Sequence, residues 1–215
     1  MGFQIEVWGP NACFTRPEMK VERVSYDIIT PSAARGLLEA VYWHPGMKWV
    51  IDRIHVLHPI RFQNIRRNEV KSVVSGRAVR TMMNGGEIPF INAKDDIQQR
   101  ASMILVNVKY VLEAHFELTD RANATDNEGK FADIIHRRLE RGQAYHQPYF
   151  GTREFPAFFR EWDGRPIRTA CEGERDLGWM LYDMDYGDRE NIRPMFFRAV
   201  MRDGVVDLRN CEVIR

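Results

Sequence analysis

The chain is poor in cysteine: Cys13, Cys171 and Cys211 are odd in number, far apart and without paired-thiol or zinc-finger spacing. That excludes a disulfide miniprotein, weighs against a metal cluster and suits a reducing compartment, with a structural role for each thiol. Long hydrophobic runs are missing too. The longest, Met103 to Phe116, is interrupted by Asn107, Lys109 and Glu113, whereas a membrane-spanning helix takes about 20 apolar residues. The opening Met1-Gly2-Phe3-Gln4-Ile5-Glu6 has neither the basic segment nor the apolar core of an export signal, and position 6 lacks the Ser or Thr of a myristoylation site. A cytoplasmic protein is expected. There is no GxGxxG, no Walker loop, no HExxH and no GxSxG, and Asn127-Glu128-Gly129-Lys130 is not a phosphate loop. The histidines at 44, 55, 58, 115, 136 and 146 show no i,i+4 ligand pairing, so no metal and no cofactor is implied.

What is present is a chain of 215 residues, 44% hydrophobic and without low-complexity segments, long enough to bury one large core or two small ones. Net charge is only +1, but its distribution is uneven. Residues 1–155 hold 21 Lys and Arg against 18 acids, and residues 156–215 hold 10 Arg against 12 acids. Within 61–80, Arg61, Arg66, Arg67, Lys71, Arg77 and Arg80 face only Glu69, which reads either as an anion-binding patch or as a solvated charged loop.

Alternation of Phe3, Ile5 and Val7 with polar neighbours predicts a first strand, stopped by Gly9-Pro10. Thr30-Pro31 opens a helix whose stripe is Leu37, Leu38 and Val41, with Tyr42 in its last turn and Pro45 beyond. Residues 49–62 read as strand. From 61 to 100 periodicity is weak, and an insertion without regular structure is expected, with a hairpin at Asn84-Gly85-Gly86. Ile104 to Leu118 alternates as a long half-buried strand in which His115 faces solvent. A helix then follows, capped at Asp126, with Phe131, Ile134, Ile135 and Leu139 inward and Gly142 at its end. With Tyr149-Phe150 as the next strand, the order matches the ferredoxin-like split βαβ pattern. The expected fold class is α+β: a ferredoxin-like (RRM-like) domain over 1–155 with a basic insertion at about 61–100, plus a small antiparallel β domain over 156–215. That second sheet is built on Leu177–Asp185, Met195–Met201 and a turn at Asp203-Gly204, and it shares no edge with the first.

A ferredoxin-like sheet with a basic insertion is a common platform for RNA. The residues Phe14-Thr15-Arg16-Pro17, Val24-Ser25-Tyr26, Ser32 through Trp43, Val111 through Phe116, Asp126 through Lys130 and Tyr149 through Phe155 go further. Over most of the chain they resemble the CRISPR-associated Cas-five proteins of the type I-C (Dvulg) subtype. The resemblance implies a metal-independent endoribonuclease that cleaves precursor CRISPR RNA at repeat hairpins. The ribose 2′-hydroxyl attacks the phosphate, leaving a cyclic phosphate and a 5′-hydroxyl. It implies as partners the repeat hairpin, the backbone-forming and large subunits of a type I-C effector complex, and target DNA near the assembled complex.

By the same resemblance the family's active-site Tyr falls on Tyr42 and its Lys on Lys130, while the following His falls on Phe131. A phenol with an ordinary pKa near 10 is a hydrogen-bonding group at neutral pH rather than a base, so the missing imidazole matters. His44, beside Pro45, is the first candidate to replace it. His136 is second, being about 120° around the helix from Lys130 and roughly 9 Å along it. Each residue also has a plainer reading: Tyr42 as a core residue, Lys130 as part of a solvated stripe with Asp133 and Arg137, Phe131 as packing. Arg153 either pairs near Glu154 or joins the RNA-binding set of Arg61, Arg66, Arg67, Lys71, Arg77 and Arg80. The rival to a nuclease is a non-catalytic RNA-holding subunit, and the missing cofactor motifs disfavour a small-molecule enzyme.

Overall fold

The computed structural model describes residues 2–87, 90–188 and 190–215. The first strand does not stop at Gly9-Pro10: β1 (Gly2–Ala12) pairs antiparallel with β5 (Ile97–Leu118) from Gly2↔His115 to Ala12↔Leu105. The ladder passes over Pro10, which has no N–H to donate, opposite Asn107, where β5 takes a left-handed φ of 52°. The unbroken alternation expected of this strand is therefore interrupted at Asn107.

A two-residue β2 (Arg23–Val24) runs parallel to β5, and α1 (Pro31–Val41) follows as expected, its Thr30 hydroxyl accepting from the Ala33 N–H. Tyr42 is the C-cap, with extended backbone, rather than part of the last turn. The strand expected over 49–62 is shorter and earlier. β3 (Met47–Val56) leaves the ladder before Pro59, and β4 (Phe62–Val70) begins a new pairing.

The expectation of irregular chain over 61–100 is overturned. β4 pairs with the first half of β5 from Phe62↔Leu105 to Val70↔Ile97, making an arm that is tipped by α2 (Gly76–Met83). Asn84 is the C-cap of α2 and Gly85, at φ 79°, the turn after it, so no hairpin forms there. The weak period has a physical cause. With so little of β4 buried, its two faces need not differ in polarity. Ile88 and Pro89 lie outside the described residues.

α3 (Glu128–Arg141) buries Phe131, Ala132, Ile135 and Leu139 and ends at Gly142 with φ 60°. Its cap is Asn127, whose side chain accepts from the Lys130 N–H. Asp126, the expected cap, lies one residue outside and accepts from the Asn123 N–H instead. Tyr149-Phe150 is not a strand: Tyr149 bridges Pro156, and the edge position beside β1 belongs to β6 (Phe158–Glu161).

β7 (Glu174–Asp185), β8 (Arg193–Arg202), β9 (Val205–Asp207) and β10 (Val213–Ile214) complete the chain, with the predicted turn at Asp203-Gly204. These strands share an edge with the rest, contrary to expectation, because β9 pairs with β3 from Arg53↔Asp207 to His55↔Val205. The result is a mixed structure dominated by one large antiparallel sheet, in the order β10-β8-β9-β3-β5-β1-β6, with few helices. α1 and α3 cover the sheet face that presents Phe3, Trp49 and Phe116, and Phe131 of α3 meets Phe116 edge-on at 6.0 Å. The other face carries ion pairs, among them His115 with Asp52 at 2.9 Å, so this histidine is half-buried and partnered rather than facing solvent alone. No helix among the described residues is long and apolar enough to cross a membrane.

Candidate active site

The C-terminus of α1 and the N-terminus of α3 meet over the Phe131 ring. Tyr42 arrives there because Val41 is the last helical residue and the chain then extends, with the Trp49 indole N–H donating to the Tyr42 carbonyl at 2.9 Å. The phenol ring lies 6.2 Å from the Phe131 ring, the His44 imidazole 5.0 Å from it, and the Lys130 ammonium 6.0 Å from its centre. The structure thus brings Tyr42, His44 and Lys130 to one place. His136 is not there: it packs on Phe3 and its Nδ1 lies 2.8 Å from Glu161 of the edge strand.

Two residues that sequence reasoning left out of the site complete it. Asp126, with a side chain only 1% exposed, accepts from the Lys130 ammonium at 2.7 Å and lies 3.8 Å from His44 Nδ1. Arg138 stacks over the Tyr42 ring at 5.0 Å and donates to the Val41 carbonyl. A signal for Arg138 was available. It sits seven residues after Phe131 on the buried stripe of α3, where an unexplained charge is informative.

Burial pushes the Tyr42 hydroxyl above the ordinary phenol range, and Asp126 adds to this, while Arg138 and Lys130 oppose it. Tyr42 is therefore a neutral donor and acceptor at physiological pH. The Lys130 ammonium and the Asn123 N–H hold the Asp126 carboxyl below its usual range, with smaller help from His44. The Gly46 N–H donates to His44 Nδ1 at 3.0 Å. This bond assigns the proton of a neutral ring to Nε2, which has no hydrogen-bond partner among the described residues. The group can supply a hydrogen bond from His44 Nε2, cationic charge from Lys130 and Arg138, and a hydrogen bond from Tyr42.

The expected RNA-binding residues divide. Arg67 is half-buried and engaged, donating to Ser102 at 3.1 Å and paired with Glu154. Glu69, the single acid of that stretch, is spent on Arg23 at 3.3 Å, with Arg67 and Arg100 each 3.8 Å away. Arg61, Arg66, Lys71, Arg77 and Arg80 are exposed and form no ion pair among the described residues. Arg153 stands at the tip of the loop 150–155, likewise without an ion pair among the described residues. The Phe150 N–H donates to the Phe155 carbonyl at 2.8 Å and closes the loop's neck. Gly151 is required there, since its φ is 81° and a Cβ would lie 2.0 Å from the Cys13 carbonyl oxygen.

The family described as CRISPR-associated protein (Cas_Cas5), Cas5d subtype, matches residues 2–209. The chain is 47% identical to the CRISPR pre-crRNA endoribonuclease Cas5d of Mannheimia succiniciproducens, over 95% of this chain and 93% of that one. It is 39% identical to the protein of the same description from Thermus thermophilus, over 95% of this chain and 90% of that one. Among solved structures, a CRISPR-associated protein superposes with a TM-score of 0.72 at 21% identity, covering 100% of this chain and 97% of the other. A component of a CRISPR RNA-guided surveillance complex superposes at 0.50 with 15% identity, covering 100% and 89%. Identity over nearly the full length of both relatives, with the family match spanning 2–209, decides the question: the chain belongs to the Cas5d family of CRISPR-associated proteins.

Proposed function

We propose that this chain is an endoribonuclease that cleaves precursor CRISPR RNA at its repeat hairpins without a metal and stays as a subunit of the effector complex that carries the product. The observation that carries the reading is the convergence of Tyr42, Lys130, Arg138 and His44 around Phe131, in a chain whose relatives are pre-crRNA endoribonucleases. The 2′-oxygen attacks phosphorus as its proton leaves to water, the bond to the 5′-oxygen breaks, and that oxygen takes a proton from a water molecule held by the His44 Nε2–H, the proton released by the 2′-hydroxyl restoring the water. Lys130 and Arg138 stabilise the charge of the crowded intermediate, and Tyr42 hydrogen-bonds to it. Asp126 positions Lys130.

The exposed cations of the β4–α2 arm serve the phosphates of the hairpin. The exposed apolar residues at the arm's tip, Val73, Met83 and Phe90, suit contact with other subunits of the complex. The order β3-β5-β1-β6 with α1 and α3 on one face supports a ferredoxin-like core, with the arm inserted between its second and third strands. That reading takes β6 as the fourth strand and moves the N-terminal unit's boundary from 155 to just after Glu161.

One observation favours the non-catalytic RNA-holding reading. Phe131 is fully buried where the family resemblance places an imidazole. Incubating the purified protein with its cognate repeat RNA in EDTA, then identifying the product termini, separates the two. A cyclic phosphate and a 5′-hydroxyl are expected. Intact RNA that remains bound would establish the holding subunit.

A further inference from the structure

Trp43 follows Tyr42 in the chain but faces a different space, a cavity of about 720 Å³ that the cleavage chemistry leaves unused. Three aromatic side chains line it, Trp43, Tyr145 and Tyr149, exposed to 56%, 72% and 40%. Single exposed aromatics are ordinary, but three around one concavity mark a binding site. Their frame is fixed. Tyr145 and His146 both donate through their backbone N–H to the Ala40 carbonyl, at 2.9 and 3.1 Å, and Tyr149 bridges Pro156.

Arg153 closes the rim. The one carboxylate in the wall, Glu39, pairs with Arg35 at 2.5 Å, which Asp183 also holds at 2.8 Å, so Arg153 is the lining cation without an ion pair among the described residues. No side-chain hydrogen bond among the described residues uses the Trp43 indole N–H or the Tyr145 and Tyr149 hydroxyls. Position adds the last observation. Arg67 of the basic arm grips Glu154, beside Arg153, and Trp43 adjoins Tyr42, so the cavity lies between the arm and the active site.

We propose that this cavity is a pocket for one unpaired nucleobase of the RNA, close in sequence to the cleaved bond. Trp43 and Tyr149 stack on the base, and Arg153 holds its phosphate. Flat π faces with polar tips beside an unpaired guanidinium are what a nucleotide needs. A purely apolar protein ligand would leave those donors unsatisfied on binding. The pocket rests on the proposed RNA-processing reading and names the part of the substrate that the reading leaves open.

The test measures affinity of the full chain, carrying Tyr42→Phe to slow cleavage, for its repeat RNA and for a panel with single abasic substitutions at each unpaired nucleotide. Trp43→Ala, Tyr149→Ala and Trp43→Phe are made in the same background, with thermal melting as the folding check. One abasic position should weaken binding about 5- to 100-fold. Trp43→Ala should do the same on intact RNA and show no further loss at that position, because both changes remove the same stacking interaction. Trp43→Phe should keep most of the affinity. A flat abasic panel overturns the pocket, as do losses that simply add. So does a Trp43→Ala protein that binds RNA normally but fails to join other effector subunits, which would assign the cavity to a protein. The parental chain's cleavage in EDTA is scored separately. Cutting with a flat panel removes the pocket and keeps the nuclease, and binding that depends on one base without cutting keeps the pocket and removes the nuclease.

Discussion

The junction of α1 with α3 and the β4–α2–β5 arm both offer positive charge, but they hold it in opposite ways. At the junction, Lys130 is fixed by Asp126 at 2.7 Å and Arg138 by the Val41 carbonyl, around a Phe131 with no exposed surface. On the arm, α2 buries no residue at all, and Arg66, Lys71, Arg77 and Arg80 are exposed and unpaired among the described residues. Chemistry gains when cations are set before the substrate arrives, since no reorganisation is then needed at the moment of reaction. Binding a phosphate backbone needs only charge and reach, and a loosely packed arm supplies both.

The comparison breaks most visibly in rate. Tyr42→Phe and Lys130→Ala should each lower cleavage by about 10²- to 10³-fold, the usual cost of removing one donor to developing charge, with RNA affinity largely kept. Parental rates in both would remove the junction from the chemistry. Replacing Arg66, Lys71, Arg77 and Arg80 by Ala should do the reverse, weakening binding and flattening the dependence of log affinity on log salt by about 0.7 to 0.9 for each phosphate that is no longer neutralised. Arg67 is left in place because its role is to hold Glu154. An unchanged slope in titrations between low and moderate salt would put the RNA elsewhere.

Phe131 tests the junction from inside. Phe131→Ala should cost about 3 to 5 kcal/mol of stability, as for other buried phenyl groups, readable by denaturant unfolding. His44→Ala should lower cutting if the Nε2–H holds the water that protonates the leaving oxygen. Should His44→Ala cut normally while Phe131→His accelerates, the natural protein works without an imidazole.

The acid and alkaline limits follow from the two shifted groups. Asp126 is held below the usual carboxylate range, so what its ionised form contributes is present above that range and is lost only as pH falls through the lowered value. Melting temperature should therefore drop in acid, and Asp126→Asn should lower it at neutral pH and blunt that drop. Burial holds the Tyr42 phenol above 10, so its neutral form survives through mildly alkaline pH. Tyr42→Phe should scale the rate between pH 7 and 9 without changing the profile's shape, and a lost alkaline limb would show that tyrosinate takes part. The smallest effect is at Asn107, with its φ of 52°. Asn107→Val should cost about 1 to 2 kcal/mol and Asn107→Gly little, as thermal melting will show.

The junction was largely legible and the arm was not, for one physical reason. Period reads burial. α1 and α3 each bury one stripe, so Leu37, Leu38, Val41, Phe131 and Ile135 announced themselves, as did the Gly142 terminus. β4 buries almost nothing, so its pairing with β5 left no alternation to find, although Gln63, Asn64 and Asn68 sit in a regular ladder. The edge strand was misassigned to Tyr149-Phe150 because Phe150 is buried as deeply as any strand residue, inside a turn. Of the candidate residues, Tyr42, His44 and Lys130 lie around the Phe131 ring, whereas His136 does not. Asp126 was misread as a cap because an acid before a helix is ordinarily one, and its bond to Lys130 depends on the chain shifting the cap to Asn127.

One strand joins both regions, since β5 spans 22 residues and its first nine belong to the arm. The arm is therefore a graduated spacer. Adding two residues to each of its strands would move the tip outward by about 7 Å and leave Arg66 on the same side, because side chains repeat every second residue. Adding one would turn the ladder over and exchange the outward Arg66 for the inward Arg67, with its grip on Glu154. Reach along an RNA can thus be lengthened or shortened in steps of two without disturbing a single residue around Phe131.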